Sequence, residues 1–126
     1  MEGLTILIVD DHEVNIMALS AVLRSKGVKV LSAPDGKQGI EVIKKHENID
    51  IVLMDIMMPV MDGYQAIDAI RNELKLDIPI IALTANAMPG DKQKCLDAGA
   101  NDYCSKPVDI AELEHIIRNY LPSSKK

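Results

Sequence analysis

Three short aliphatic runs, each stopped by a polar residue at its carboxyl end, constrain this chain more than any other feature. Residues 4–9 run into Asp10-Asp11, residues 51–54 into Asp55, and residues 80–83 into Thr84. Apolar runs of this length, bounded by turn signals, read as strands buried on both faces. Between them the apolar period changes to that of a helix. Ile16, Leu19 and Leu23 recur at helical spacing, as do Ile67, Ile70 and Leu74, and then Ile110, Leu113, Ile116 and Ile117. Two shorter strands complete the pattern. Residues 28–31 form one, with Lys29 facing out, and residues 101–104 form the other, leading to Ser105-Lys106-Pro107. A second helix keeps Ile40 and Ile43 on one face, with Asp35 placed to cap it. Gly39 lies inside that helix and is expected to loosen it, since an internal Gly costs about 1 kcal/mol. A weakly amphipathic fourth helix follows Pro89-Gly90. All six prolines fall at these junctions. Five strands alternating with five helices predict an α/β fold, a single doubly wound parallel sheet with right-handed crossovers.

Composition narrows the function. A chain of 126 residues, 48% of them hydrophobic, has the size of one domain with a real core. Three tyrosines are its only aromatics, so that core is aliphatic and rich in methionine. The Met residues at 54, 57, 58 and 61 read as packing. The domain is expected over residues 1–121, with 122–126 as a tail. Fourteen basic against nineteen acidic residues give a net charge of −5, and no basic run is longer than a pair, with Lys125-Lys126 at the end of the acidic chain. That balance argues against nucleic-acid binding by this domain alone. No apolar run reaches the roughly 18–20 residues needed to span a bilayer, and Asp10 and Asp11 interrupt the one N-terminal apolar stretch. Cys95 and Cys104 lack metal-type spacing and read as small buried hydrophobes in a reducing, cytoplasmic setting.

The chemistry is concentrated where the strands end. In open parallel sheets, ligands bind outside the carboxyl ends of the strands. There the fold gathers Asp10 and Asp11, Asp55, Thr84 and Lys106. Three carboxylates held about 5 Å apart repel by roughly 3 kcal/mol per pair at an effective dielectric near 20. One lysine does not offset that repulsion, whereas a hard divalent cation such as Mg²⁺ does. A cation, a lysine and a hydroxyl together stabilise a transferring phosphoryl group, and a carboxylate among them is a competent nucleophile.

The segments Ile8-Val9-Asp10-Asp11, Met54-Asp55-Ile56-Met57-Met58-Pro59-Val60-Met61-Asp62-Gly63, Ala82-Leu83-Thr84-Ala85 and Asp102-Tyr103-Cys104-Ser105-Lys106-Pro107 resemble, in that order, the receiver domain of two-component response regulators. The resemblance extends from residue 4 to about residue 121. Asp11-His12-Glu13-Val14-Asn15 and Thr84-Ala85-Asn86-Ala87-Met88 are most similar to receivers of hybrid histidine kinases and phosphorelays. The resemblance implies a flavodoxin-like sheet of strand order 2-1-3-4-5. It implies Asp55 as phosphoacceptor, taking the phosphoryl group from a phosphohistidine on a histidine kinase or histidine phosphotransfer protein. Mg²⁺ would be held by Asp10, Asp11, Asp55 and the backbone carbonyl of Met57. Lys106 would pair with phosphoryl oxygens, and Thr84 would move to hydrogen-bond them. Tyr103 would swing inward, changing the face of the fourth helix, fifth strand and fifth helix, where an effector domain or a second copy docks. A cis peptide is implied before Pro107.

Blander readings stand beside these. Asp10 and Asp11 could be helix caps, Asp55 a turn residue, Thr84 and Tyr103 ordinary strand residues, and Lys106 a surface lysine. His12, with no second histidine at ligand spacing, reads as a solvated first-turn residue, and His46 and His115 as surface residues. Three alternative functions compete with the phosphorylated switch. A scaffold that never takes phosphate is disfavoured by the full set Asp11, Asp55, Thr84 and Lys106. An aspartyl-phosphate phosphatase would want a second acid where Met57 stands. Flavin binding would want a phosphate-cradling loop where Asp10-Asp11 stand.

Overall fold

The computed structural model describes residues 3–46, 48–56, 58, 61–85 and 89–121. The elements follow in the order β1 (Thr5–Val9), α1 (Glu13–Ser25), β2 (Lys29–Ala33), α2 (Gly36–Lys45), β3 (Ile51–Asp55), α3 (Gly63–Asp68), β4 (Ile80–Thr84), α4 (Pro89–Ala98), β5 (Asp102–Ser105) and α5 (Ile110–Asn119). All five strands are parallel, in the order β2-β1-β3-β4-β5. This is the doubly wound, flavodoxin-like sheet expected from the resemblance.

The period of two along each strand divides the core into two layers. Leu7, Val9, Val52, Met54, Ile80 and Ala82 point to one face, where Ile40 and Ile43 of α2, Ile67 of α3 and Cys95 of α4 cover them. Ile6, Ile8, Ile51, Leu53, Ile81 and Leu83 point to the other, covered by Leu19 and Leu23 of α1 and by Leu113, Ile116 and Ile117 of α5. The three central strands are buried on both faces, which is why they read as unbroken apolar runs rather than as alternations.

Three features depart from the sequence reading or add to it. Strand β2 continues to Ala33, two residues further than expected, because its ladder with β1 extends from Thr5↔Lys29 to Val9↔Ala33. Pairing overrides the weak strand preference of Ser32 and Ala33. The third helix is not uniform. After Asp68 it widens into a π-helical segment, Ala69–Glu73, closed by the Leu74 N–H donating to the Ala69 carbonyl. From this segment Arg71 donates to the carbonyls of Gly99 and Leu76 and to Asn101 Oδ1, tying the far end of the sheet together. Finally, Gly39 permits a close approach, a role apart from its cost to the helix itself. A Cβ there would lie 2.8 Å from Val9 Cγ2, so its absence lets α2 sit down on β1.

Capping follows local chemistry. Asp35 accepts from the Gln38 N–H, as expected, and Asp62 and Gln65 form a reciprocal capping box. Gly63 opens α3 directly against the end of β3, where a Cβ would lie 2.5 Å from the Asp55 carbonyl oxygen and 2.6 Å from Ile56 Cα. No helix among the described residues is long and apolar enough to cross a membrane.

Candidate functional site

The site is built from strand ends. Asp10 follows β1 and stays in the sheet, its N–H donating to the Ala33 carbonyl of β2 at 3.1 Å. It is fully buried, an expensive position for a carboxylate without partners. Oδ1 accepts from the His12 N–H at 2.8 Å, and Oδ2 lies 3.4 Å from Lys106 Nζ. Asp55 is the last residue of β3. It is paired with Leu83 of β4 and is 2% exposed. Its Oδ1 lies 3.0 Å from the same Lys106 Nζ. Lys106 is set by backbone, its N–H donating to the Thr84 carbonyl at 2.8 Å just beyond β5. The bond from Lys106 to Pro107 is cis. One ammonium thus bridges two buried carboxylates that arrive on different strands.

This placement governs the charge on Lys106. Burial by itself would lower its pKa. The hydrogen bond and charge of Asp55, then those of Asp10, outweigh that effect and raise it above the ordinary lysine value. Lys106 is therefore a fixed cation at physiological pH.

Asp11 leaves the sheet, and its side chain is 26% exposed. Neither it nor Asp10 is the N-cap of α1. That position belongs to His12, whose side chain makes no capping hydrogen bond. The His12 ring instead turns back, its Nδ1 3.3 Å from Asp10 Oδ1 and 3.1 Å from Asp11 Oδ1. Ligand-capable atoms of Asp10, Asp11, His12 and Asp55 all lie within 4.8 Å of one another. As the sequence predicts, His12 is a solvated residue at the start of α1, its side chain 64% exposed. Its nearness to the carboxylates follows from its place directly after two aspartates, because a turn that buries Asp10 carries its neighbours to the same mouth.

Thr84 ends β4 opposite Ser105 and is buried. Tyr103 stands back from this edge, paired with Ala82, half-buried, with Lys92 Nζ of α4 4.7 Å from its ring centroid. Met57 lies outside the described residues, as do Asn86, Met88 and the tail 122–126. His46 and His115 are exposed and away from the site. Cys95 and Cys104 are buried free thiols.

On one side of the pocket a groove passes between α1 and the loop after β5, lined by Asn15, Ala18, Val22, Val108 and Ile110, with Asp10 and Lys106 also on its wall. Nearby on α1, Val14 and Met17 are 76% and 64% exposed, an apolar pair that helical periodicity did not mark as special.

Comparison with known proteins agrees with this architecture. The chain is 39% identical over 125 residues to the sensor histidine kinase RcsC of Escherichia coli (strain K12), covering 99% of this chain but 13% of the kinase. It thus spans a small part of the length of that relative. The receiver domain of the sensor histidine kinase PA1611 from Pseudomonas aeruginosa is 44% identical. It superposes with a TM-score of 0.84 over 94% of this chain and 97% of its own, and it holds a magnesium ion in its active-site cleft. The receiver domain of Saccharomyces cerevisiae Ssk1, solved with the histidine phosphotransfer protein Ypd1, is 30% identical. Its TM-score is 0.87, over 93% of this chain and 88% of that one. The family model for the response regulator receiver domain matches residues 6–118. With the strand order, the acidic pocket and these likenesses in agreement, the chain belongs to the response regulator receiver domain family.

Proposed function

We propose that this receiver accepts a phosphoryl group on Asp55 from a phosphohistidine and relays that event as a change of surface. The observation that carries the reading is the single ammonium of Lys106 between Asp55 Oδ1 and Asp10 Oδ2, 3.0 and 3.4 Å away, at a sheet edge where three carboxylates converge. Oxygen donors of this kind, with charge in excess of one lysine, fit a hard divalent cation. Asp10, Asp11 and Asp55, with the Met57 carbonyl, would hold Mg²⁺. A cation held there would supply charge neutralisation for the carboxylates and for the phosphoryl oxygens facing them. The magnesium in the cleft of the PA1611 receiver supports that assignment.

The chain's own groups then act as follows. A carboxylate oxygen of Asp55 attacks phosphorus, the P–N bond to the donor imidazole breaks, and the imidazole nitrogen takes up a proton. Asp55 is buried at the end of a central strand, so its geometry is fixed in advance, which lowers the entropic part of the barrier. Lys106 stays charged and turns from Asp55 to the phosphoryl oxygens. The Thr84 hydroxyl donates to the same group, and Tyr103 moves inward behind it, altering the face of α4, β5 and α5 for an effector domain or a second copy. The donor is a histidine kinase or a histidine phosphotransfer protein. The complex of Ypd1 with the Ssk1 receiver supports the second. Exposed Val14 and Met17 on α1, beside the pocket, supply apolar surface for that encounter. Residues 1–121 are read as the receiver unit and 122–126 as a tail, working in the cytoplasm as a switch rather than as an enzyme of steady turnover.

Intact mass after incubation with Mg²⁺ and acetyl phosphate tests the reading. One added phosphoryl group is expected, absent in Asp55→Asn and in chelator. No addition from acetyl phosphate or from a phosphohistidine donor would leave a phosphorylation-independent scaffold as the better account. Steady hydrolysis of a phosphate ester dependent on Asp55 would make the chain a phosphatase.

A further inference from the structure

The pocket contains a nitrogen donor as well as oxygens. His12 occupies the N-cap position of α1 without capping it. Its Nδ1 points at two carboxylate oxygens, 3.3 Å from Asp10 Oδ1 and 3.1 Å from Asp11 Oδ1. An ion bound at about 2.1 Å from each ligand separates neighbouring ligands by about 3.0 Å in an octahedron and about 3.4 Å in a tetrahedron. The two observed separations, which in the metal-free chain are hydrogen-bond and ion-pair contacts of the exposed ring, fall in the same range. The two oxygens of Asp10 are divided between partners, with Oδ1 on the His12 side and Oδ2 facing Lys106. The lysine therefore does not occupy the edge that the imidazole shares. Three consecutive residues supply the three donors, so little chain entropy opposes their joint use.

We propose that His12 is a nitrogen ligand of this pocket, biasing it toward first-row ions that accept imidazole, such as Co²⁺, Ni²⁺ and Zn²⁺, beyond what its carboxylates alone confer. Mg²⁺ prefers oxygen and water and gains nothing from the ring. Substitution of His12 thus separates the two classes of ion. The inference rests on the cation-binding reading proposed above, and the experiment tells the two apart.

Calorimetric titration of the full chain with Co²⁺ and with Mg²⁺ is the test, on the wild type, His12→Gln and His12→Asn, with Asp11→Asn as a loss-of-site control. Proton NMR of the Co²⁺-loaded protein, searching for hyperfine-shifted imidazole ring C–H signals, is the second readout. Co²⁺ binding is expected to weaken by about tenfold or more in both His12 variants. Mg²⁺ binding should stay within about twofold, and the shifted imidazole signal should vanish. His46 and His115, elsewhere on the surface, serve as controls whose replacement by Gln leaves that signal in place. Unchanged Co²⁺ affinity in the variants overturns the inference. So does tighter binding of either ion, which would make His12 an internal counter-ion displaced by metal. If the wild type binds neither ion, the cation reading itself falls, and the inference with it.

Discussion

Removing the charge of a fully buried carboxylate usually destabilises a protein when that carboxylate is paired with lysine. Asp10→Asn is expected to do the opposite here. In the absence of divalent metal, the Asp10 charge gains about 5 kcal/mol from Lys106 at 3.4 Å, taking an effective dielectric near 20. It loses at least about 3.5 kcal/mol to each of two carboxylates, Asp11 and Asp55, whose ligand atoms lie within 4.8 Å. Water at the partly exposed Asp11 reduces its share, while the desolvation of Asp10 adds to the penalty. The net is a stabilisation of about 2 kcal/mol on replacing Asp10 by an isostere. Asn retains the acceptor for the His12 N–H and Lys106 retains Asp55, while the amide NH2 that replaces Oδ2 faces the ammonium and takes back part of the gain. Urea unfolding followed by far-ultraviolet circular dichroism, in chelator and then in millimolar Mg²⁺, measures this. The variant should be more stable in chelator. Mg²⁺ should then raise the wild type more than the variant, because ligand binding to the folded state alone adds stability by mass action. A variant less stable than wild type in chelator by about 1 kcal/mol or more would refute the reasoning, since the Lys106 pair would then outweigh the repulsion.

Gly63→Ala places a Cβ 2.5 Å from the Asp55 carbonyl oxygen, where only backbone can yield, so a loss of about 3 kcal/mol or more is expected in the same unfolding assay. A loss under about 1 kcal/mol would mean that α3 and β3 separate easily. Burial, with nearby Glu112, Asp109 and Asp102, pushes the Cys104 thiol from near 9 up to about 11. Its contribution to stability should be complete below pH 9 and lost as the pH rises to 11, a slope that Cys104→Val flattens. Iodoacetamide at pH 9 should leave Cys104 of the folded protein unmodified. Arg71→Met removes donors to the Gly99 and Leu76 carbonyls and to Asn101 Oδ1, and is expected to cost about 2–4 kcal/mol in unfolding experiments without changing Mg²⁺ affinity.

Much of this molecule is legible in one dimension. The apolar runs at β1, β3 and β4 and the helical spacing of Leu19 and Leu23 or Ile116 and Ile117 record which side chains are buried. Burial within a single element depends only on its own period. The placement of Asp10, Asp55 and Thr84 directly after such runs also reveals that they share one sheet edge, because parallel strands all present their carboxyl ends on the same side. The order of the strands came only from resemblance, since no pattern within a strand names its neighbour.

What required the folded chain is distance between groups remote in sequence. Lys106 and Asp10 are separated by 96 positions, and their contact exists because β1 and β4 flank the central β3 and the residue after Ser105 is held by the Thr84 carbonyl at the end of β4. The roles of Gly39 and Gly63 are likewise set by what faces them, Val9 in one case and the Asp55–Ile56 backbone in the other. The π-helical segment answers to the carbonyls of a distant turn through Arg71. His12 is solvated, as its sequence reads, and the turn that buries Asp10 is what brings its Nδ1 beside the carboxylates. Sequence by itself determined the elements and the edge on which the chemistry lies. The tertiary structure decided which groups meet there, because meeting depends on register, crossover and close approach, none of which is a property of any single segment.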